Sequence, residues 1–149
     1  MQVYRITLAK YAGSLHASGN AARWNPKDVK MIYTASSRAL ACLENVVHRS
    51  GLGLKEAFRT MLIQIPDGLP ITRIKESSLL PNWHAFINYP YTQSLGNAWI
   101  EKGDTAVLQV PSAIIPEESN YLLNPMHPDF TQIQLVSTEP FAFDPRIKA

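Results

Sequence analysis

Proline placement is the feature that most constrains this chain. Only Pro26 precedes residue 65, and the other ten prolines run from Pro66 to Pro145. Proline lacks an N–H and clashes with a preceding helical turn, so it ends helices and avoids central strand positions. The second half must therefore consist of short strands and loops, with at most one good helix. Residues 3–8 read as a first strand. Residues 11–25 form a polar loop, long for a compact domain and of a length that often carries function. Residues 30–34 read as a strand, after which Ser36 or Ser37 caps a helix running to about His48, closed by Gly51. Residues 58–65 form an apolar strand stopped by Pro66-Asp67-Gly68, with residues 71–74 pairing beside it. Residues 91–102 are the second helix, ended by Gly103. Residues 105–110, 121–123, 133–136 and 141–143 add short strands. This order predicts one α+β domain over residues 1–149, a mixed sheet with a few flanking helices.

Composition narrows the function classes. The chain has 149 residues, of which 46% are hydrophobic and 17% charged, enough for a packed core without a staple. Cys42 stands alone, which excludes a disulfide framework and fits a reducing compartment. The net charge of +2, from 14 basic and 12 acidic residues with no run of five like charges, argues against a nucleic-acid surface. Arg5 and Lys10 interrupt the apolar N-terminal stretch, so it does not read as a signal peptide. No apolar run is long enough for a transmembrane helix, and the expected location is the cytoplasm. His16, His48, His84 and His127 lie at no close metal-ligand spacing to one another or to Cys42, so no metal is expected. Neither a Gly-x-Gly-x-x-Gly nor a Walker A segment is present, so no Rossmann crevice or P-loop is expected.

On a helical wheel for the first helix, Leu40, Leu43, Val46 and Val47 define the apolar arc, with Cys42, Asn45 and Arg49 opposite. Glu44 projects within the apolar half, and His48 follows one turn later on the same side. A carboxylate facing a core needs partners. Glu44 is thus either a carboxylate at the edge of a cleft or one half of a structural ion pair.

Read together, several segments form an ordered series. Ala22-Arg23-Trp24-Asn25-Pro26-Lys27, Ile32-Tyr33-Thr34-Ala35 and Leu40-Ala41-Cys42-Leu43-Glu44 are followed far downstream by Val110-Pro111-Ser112, Leu123-Asn124-Pro125-Met126-His127-Pro128 and Phe143-Asp144-Pro145-Arg146. This set closely resembles the RES-domain family, named for an arginine, a glutamate and a serine, which map here onto Arg23, Glu44 and Ser112. The resemblance implies a toxin of a bacterial toxin–antitoxin pair that depletes cellular NAD. It implies a fold similar to that of ADP-ribosyltransferase toxins, and an Xre-type antitoxin that covers the active site. Two positions depart from the family pattern. Ala21-Ala22 stand where glycines are usual before the arginine, and Asp28 stands where a glycine commonly follows the Asn-Pro-Lys segment. Both changes stiffen a loop that should approach the substrate.

Cleavage of NAD at the nicotinamide–ribose bond develops an oxocarbenium-like cation. Glu44 can stabilise it and hold the ribose hydroxyls. Arg23 offers a rigid fork of donors for the diphosphate. Tyr33 can stack on the nicotinamide or ribose, or simply pack in its strand. Ser112 can orient a ribose, a phosphate or Glu44, or cap local backbone; no nucleophile elbow surrounds it. Asn124 can bind substrate or form a turn before Pro125. Trp24 and Asn25 adjoin Arg23 and shape the pocket, whereas Trp83 and Trp99 read as core. NAD is then a substrate and no cofactor is needed, with water or inorganic phosphate as acceptor. Transfer of ADP-ribose to a protein, or an inactive interaction module with the same fold, are the alternatives. An RNA-cleaving toxin is disfavoured by the weak positive charge.

Overall fold

A computed structural model describes residues 1–48 and 56–147. Seven strands form one mixed sheet: β1 (Gln2–Leu8), β2 (Ile32–Ala35), β3 (Phe58–Gln64), β4 (Ile71–Arg73), β5 (Val107–Pro111), β6 (Ser119–Leu123) and β7 (Gln134–Phe141). Helix α1 (Arg38–His48) follows β2, and α2 (Tyr89–Lys102) precedes β5. The sheet order is β4-β5-β6-β2-β1-β3-β7, antiparallel except for the β4–β5 pair. An α+β architecture is what the element order predicts.

Strand alternation divides the core between the two faces of this sheet. Val3, Ile32, Met61, Ile63, Val107 and Leu123 fill one face, beneath loop residues that include Ala12 and Ile133. On the other face Ile6, Ala35 and Phe58 lie under Leu40 and Ala41 of α1. Leu108, Val110 and Leu122 lie beside them with Trp24, Met31, Trp83 and Trp99. Trp83 and Trp99 are core, as their sequence context indicates.

The helix ends follow their capping residues. Ser37 Oγ accepts the Leu40 N–H at 3.0 Å, so Ser37 caps α1. Gly51, expected to close that helix, lies outside the described residues. The second helix begins at Tyr89, two residues earlier than expected, because Pro90 in the first turn has no intrahelical N–H to lose. Gly103 closes it in the left-handed conformation, φ 66°.

Three expectations are corrected. The strand at residues 71–74 does not pair with β3, because β1 and β7 already occupy both sides of β3; it runs parallel to β5 at the far edge. The stretches at 133–136 and 141–143 are not two strands but belong largely to the single strand β7. Pro140 is tolerated inside it because β7 is an edge strand, where a missing N–H leaves no neighbour unsatisfied. The inward face of α1 is also rotated from the wheel reading. Leu43 and Val47 are exposed, while Asn45 turns inward and donates from Nδ2 to the Ile6 carbonyl at 3.0 Å.

Candidate active site

The sheet has a seam between β1 and β2, where only one residue pair, Tyr4 and Ala35, is in register. Arg5 bridges the seam, donating from Nη1 to the Tyr33 carbonyl at 3.1 Å. A cavity of about 480 Å³ opens here, with Arg5, Arg23, Trp24, Tyr33, Glu44 and His48 in its wall.

Glu44 enters from α1, one turn beyond the buried Leu40 and Ala41. Ser112 Oγ donates to Glu44 Oε1 at 2.9 Å. The same hydroxyl oxygen accepts the N–H groups of Ile114 and Ile115 at 3.1 and 3.2 Å. Those two donors fix the lone pairs of the fully buried Ser112 and leave its proton for the carboxylate. Both readings of Ser112 therefore hold at once: it caps local backbone and it orients Glu44. His48 Nε2 lies 3.4 Å from Glu44 Oε2, and its half-exposed ring lines the same cavity.

Arg23 is placed by its backbone as much as by its side chain. Thr92 Oγ1 of α2 donates to the Arg23 carbonyl at 2.6 Å, and Gln93 Nε2 donates to the Ala22 carbonyl at 2.9 Å. Gly96 lets the helix approach closely, since a Cβ there would lie 1.7 Å from the Trp24 carbonyl oxygen. The Arg23 guanidinium donates to the His84 carbonyl at 2.8 Å and lies 4.8 Å from the Tyr89 ring centre and 5.8 Å from that of Trp83.

Tyr33, Asn25 and Trp24 form one hydrogen-bonded unit. The Tyr33 hydroxyl accepts the Trp24 N–H at 3.1 Å and donates to Asn25 Oδ1. Asn25 Nδ2 donates to the carbonyls of Asn20 and Val29, each at 2.9 Å. Burial pushes the Tyr33 phenol well above its ordinary value, so it remains neutral. Tyr33 and Trp24 reach the cavity, but Asn25 lies behind it and staples the loop. Asn124 is not brought to the site: it is buried beyond the end of β6, where Oδ1 accepts the Met126 N–H at 2.9 Å. Asp28 adopts φ 70°, a left-handed conformation open to Gly without strain, and its N–H donates to the Gly19 carbonyl at 2.8 Å.

Sequence reasoning missed Arg5 and the α2 clamp. Arg5 pairs with no carboxylate among the described residues, and burial lowers its pKa from the usual arginine value. Its one sequence signal is an arginine in the middle of an apolar strand.

A family model described as the RES domain matches residues 2–144. The chain belongs to the RES-domain family. Among its relatives, "Prs ADP-ribosylating toxin" of Sphingobium sp. (strain YBL2) is 41% identical over 84% of this chain and 79% of its own length. "Toxin Res" of Yersinia enterocolitica is 37% identical, covering 99% of this chain and 100% of that protein. "Toxin Res" of Photorhabdus laumondii is 34% identical, covering 99% and 97%. The sequence resemblance maps the family's arginine, glutamate and serine onto Arg23, Glu44 and Ser112. Two of them touch directly, and two line one cavity.

Proposed function

We propose that this RES-domain chain is a toxin that cleaves the nicotinamide–ribose bond of NAD in the cavity at the β1–β2 seam. The observation that carries the reading is a carboxylate held by a buried hydroxyl in a cavity that also contains two arginines. The glycosidic C–N bond breaks and its electron pair leaves with nicotinamide, which becomes neutral. The positive charge develops on the ribosyl C1′ and ring oxygen. Glu44, fixed by Ser112, stabilises that charge and accepts from the ribose hydroxyls. Arg5 and Arg23 attract the diphosphate. An oxygen of water or of inorganic phosphate then bonds to C1′, giving ADP-ribose and a released proton, or ADP-ribose phosphorylated at that carbon. Neither acceptor requires a metal or a redox cofactor. The fold reading that accompanies this chemistry is the ADP-ribosyltransferase type.

The test is nicotinamide release by purified protein, with and without phosphate. Glu44→Ala is expected to reduce release by about a hundredfold or more, and Arg23→Ala to weaken substrate binding. A folded wild type that releases no nicotinamide would overturn the reading and leave an inactive interaction module. A second reading, ADP-ribose transfer to a protein, is favoured by the name of the Sphingobium relative, an ADP-ribosylating toxin. It predicts a mass increase on a lysate protein in the presence of NAD.

The partner in this reading is an Xre-type antitoxin that caps the cavity in the cytoplasm. Phe86 and Ile87, 81% and 83% exposed, precede Tyr89 of the cavity wall in sequence, the Phe86 and Tyr89 ring centres lying 4.9 Å apart, and offer the antitoxin an apolar foothold. No helix of the described residues is long and apolar enough to cross a membrane.

A further inference from the structure

A second cavity, of about 250 Å³, adjoins the first. The two share Arg5, Ser18 and Asn20 in their walls, so they adjoin at the guanidinium that bridges the seam. The second cavity has an apolar floor from Leu15, Ile32 and Met61. Two flat rings stand in its wall: Tyr11 and His16 meet edge to face, with centres 6.2 Å apart. Ser14 Oγ lies 3.5 Å from His16 Nδ1 and adds a polar edge.

Two chambers joined at a cation match a ligand with two heads and an anionic middle. An apolar floor with aromatic rings and a few polar groups suits a flat heteroaromatic base. Resting on the NAD reading of the main cavity, we infer that the second cavity holds the adenosine half of the dinucleotide, with Tyr11 and His16 as its base-recognition residues. The diphosphate then crosses Arg5, and the ribosyl carbon to be attacked stays in the chamber with Glu44. Specificity for a dinucleotide over a mononucleotide arises in the 11–20 loop and not at the catalytic carboxylate.

ADP carries the adenosine and the diphosphate but no nicotinamide, so calorimetry with ADP reads the subsite without turnover. Wild type is expected to bind ADP, and Tyr11→Ala and His16→Ala each to weaken binding by about fivefold or more. With NAD and nicotinamide mononucleotide as paired substrates, the same variants are expected to lower kcat/KM for NAD about tenfold more than for the mononucleotide. Circular dichroism confirms that both variants fold. Absence of ADP binding by wild type, ADP binding indifferent to both substitutions, or equal losses on the two substrates overturns the subsite. ADP binding that depends on Tyr11 and His16, in a protein that releases no nicotinamide, upholds the subsite and removes the cleavage reading.

Discussion

The Tyr33 hydroxyl is fully engaged inside the fold, accepting the Trp24 N–H and donating to Asn25 Oδ1. Tyr33→Phe leaves a buried donor and a buried amide oxygen unpaired, an expected loss of about 1–3 kcal/mol in urea unfolding. The sign of the pH effect follows from the raised pKa of the buried phenol. Below the ordinary tyrosine pKa of about 10 both states hold the proton, and the Tyr33 contribution is fully present. Above it the unfolded chain ionises more readily than the fold, so stability falls as pH rises; Tyr33→Phe is expected to flatten that fall. At this scale the meeting of Ser112 with Glu44, and of Glu44 with Arg23 in one cavity, was legible from residue types in a fixed order. Asn25 and Asn124 were not separable from substrate ligands in sequence. A short amide serves a ligand or its own turn equally well, and here it serves the turn in both cases. Asp28 reads as a stiffened loop in sequence, and its left-handed φ explains why a glycine would suit the position.

Helix α2 supports the site without supplying a catalytic side chain. Thr92, Gln93 and Gly96 hold or admit the carbonyls of Arg23, Ala22 and Trp24 in turn. Helix propensity alone predicts that Gly96→Ala stabilises by about 1 kcal/mol. The close approach to Trp24 predicts the opposite sign: a lower Tm, equivalent to about 1–3 kcal/mol of lost stability, as the new methyl drives helix and loop apart. Nicotinamide release should fall with it, although Gly96 does not line the cavity. The helices were legible in sequence because their caps are local. The position of β4 and the continuity of β7 were not, since each depends on which sheet edge is free, a property of distant chain segments. Glu44 faces the site as the wheel placed it, but the rest of α1 was misread because Asn45 turns toward the sheet, where hydrophobicity alone would have turned Leu43 and Val47.

At the scale of the whole molecule, two exposed apolar side chains, Phe86 and Ile87, stand just before Tyr89 of the cavity wall. On the proposed toxin–antitoxin reading, Ile87→Asp is expected to weaken the antitoxin complex by about tenfold or more in Kd while nicotinamide release persists, as read by titration of the two purified proteins. Loss of release together with binding would place Ile87 in the fold instead of at the interface. The sheet order was not legible in sequence, and neither was its seam, because a missing pairing leaves no mark on composition or periodicity. That seam has a mechanical consequence. Strands β4, β5, β6 and β2 form one panel and β1, β3 and β7 another, joined along the sheet by the single Tyr4–Ala35 pair and by the Arg5 strut to Tyr33. An occupant gripping Arg5 from one panel and Arg23, whose neighbour Trp24 is bonded to Tyr33 of the other, takes the place of absent rungs. Such an occupant is a brace as well as a reactant, and the two panels are tied most firmly while it is in place.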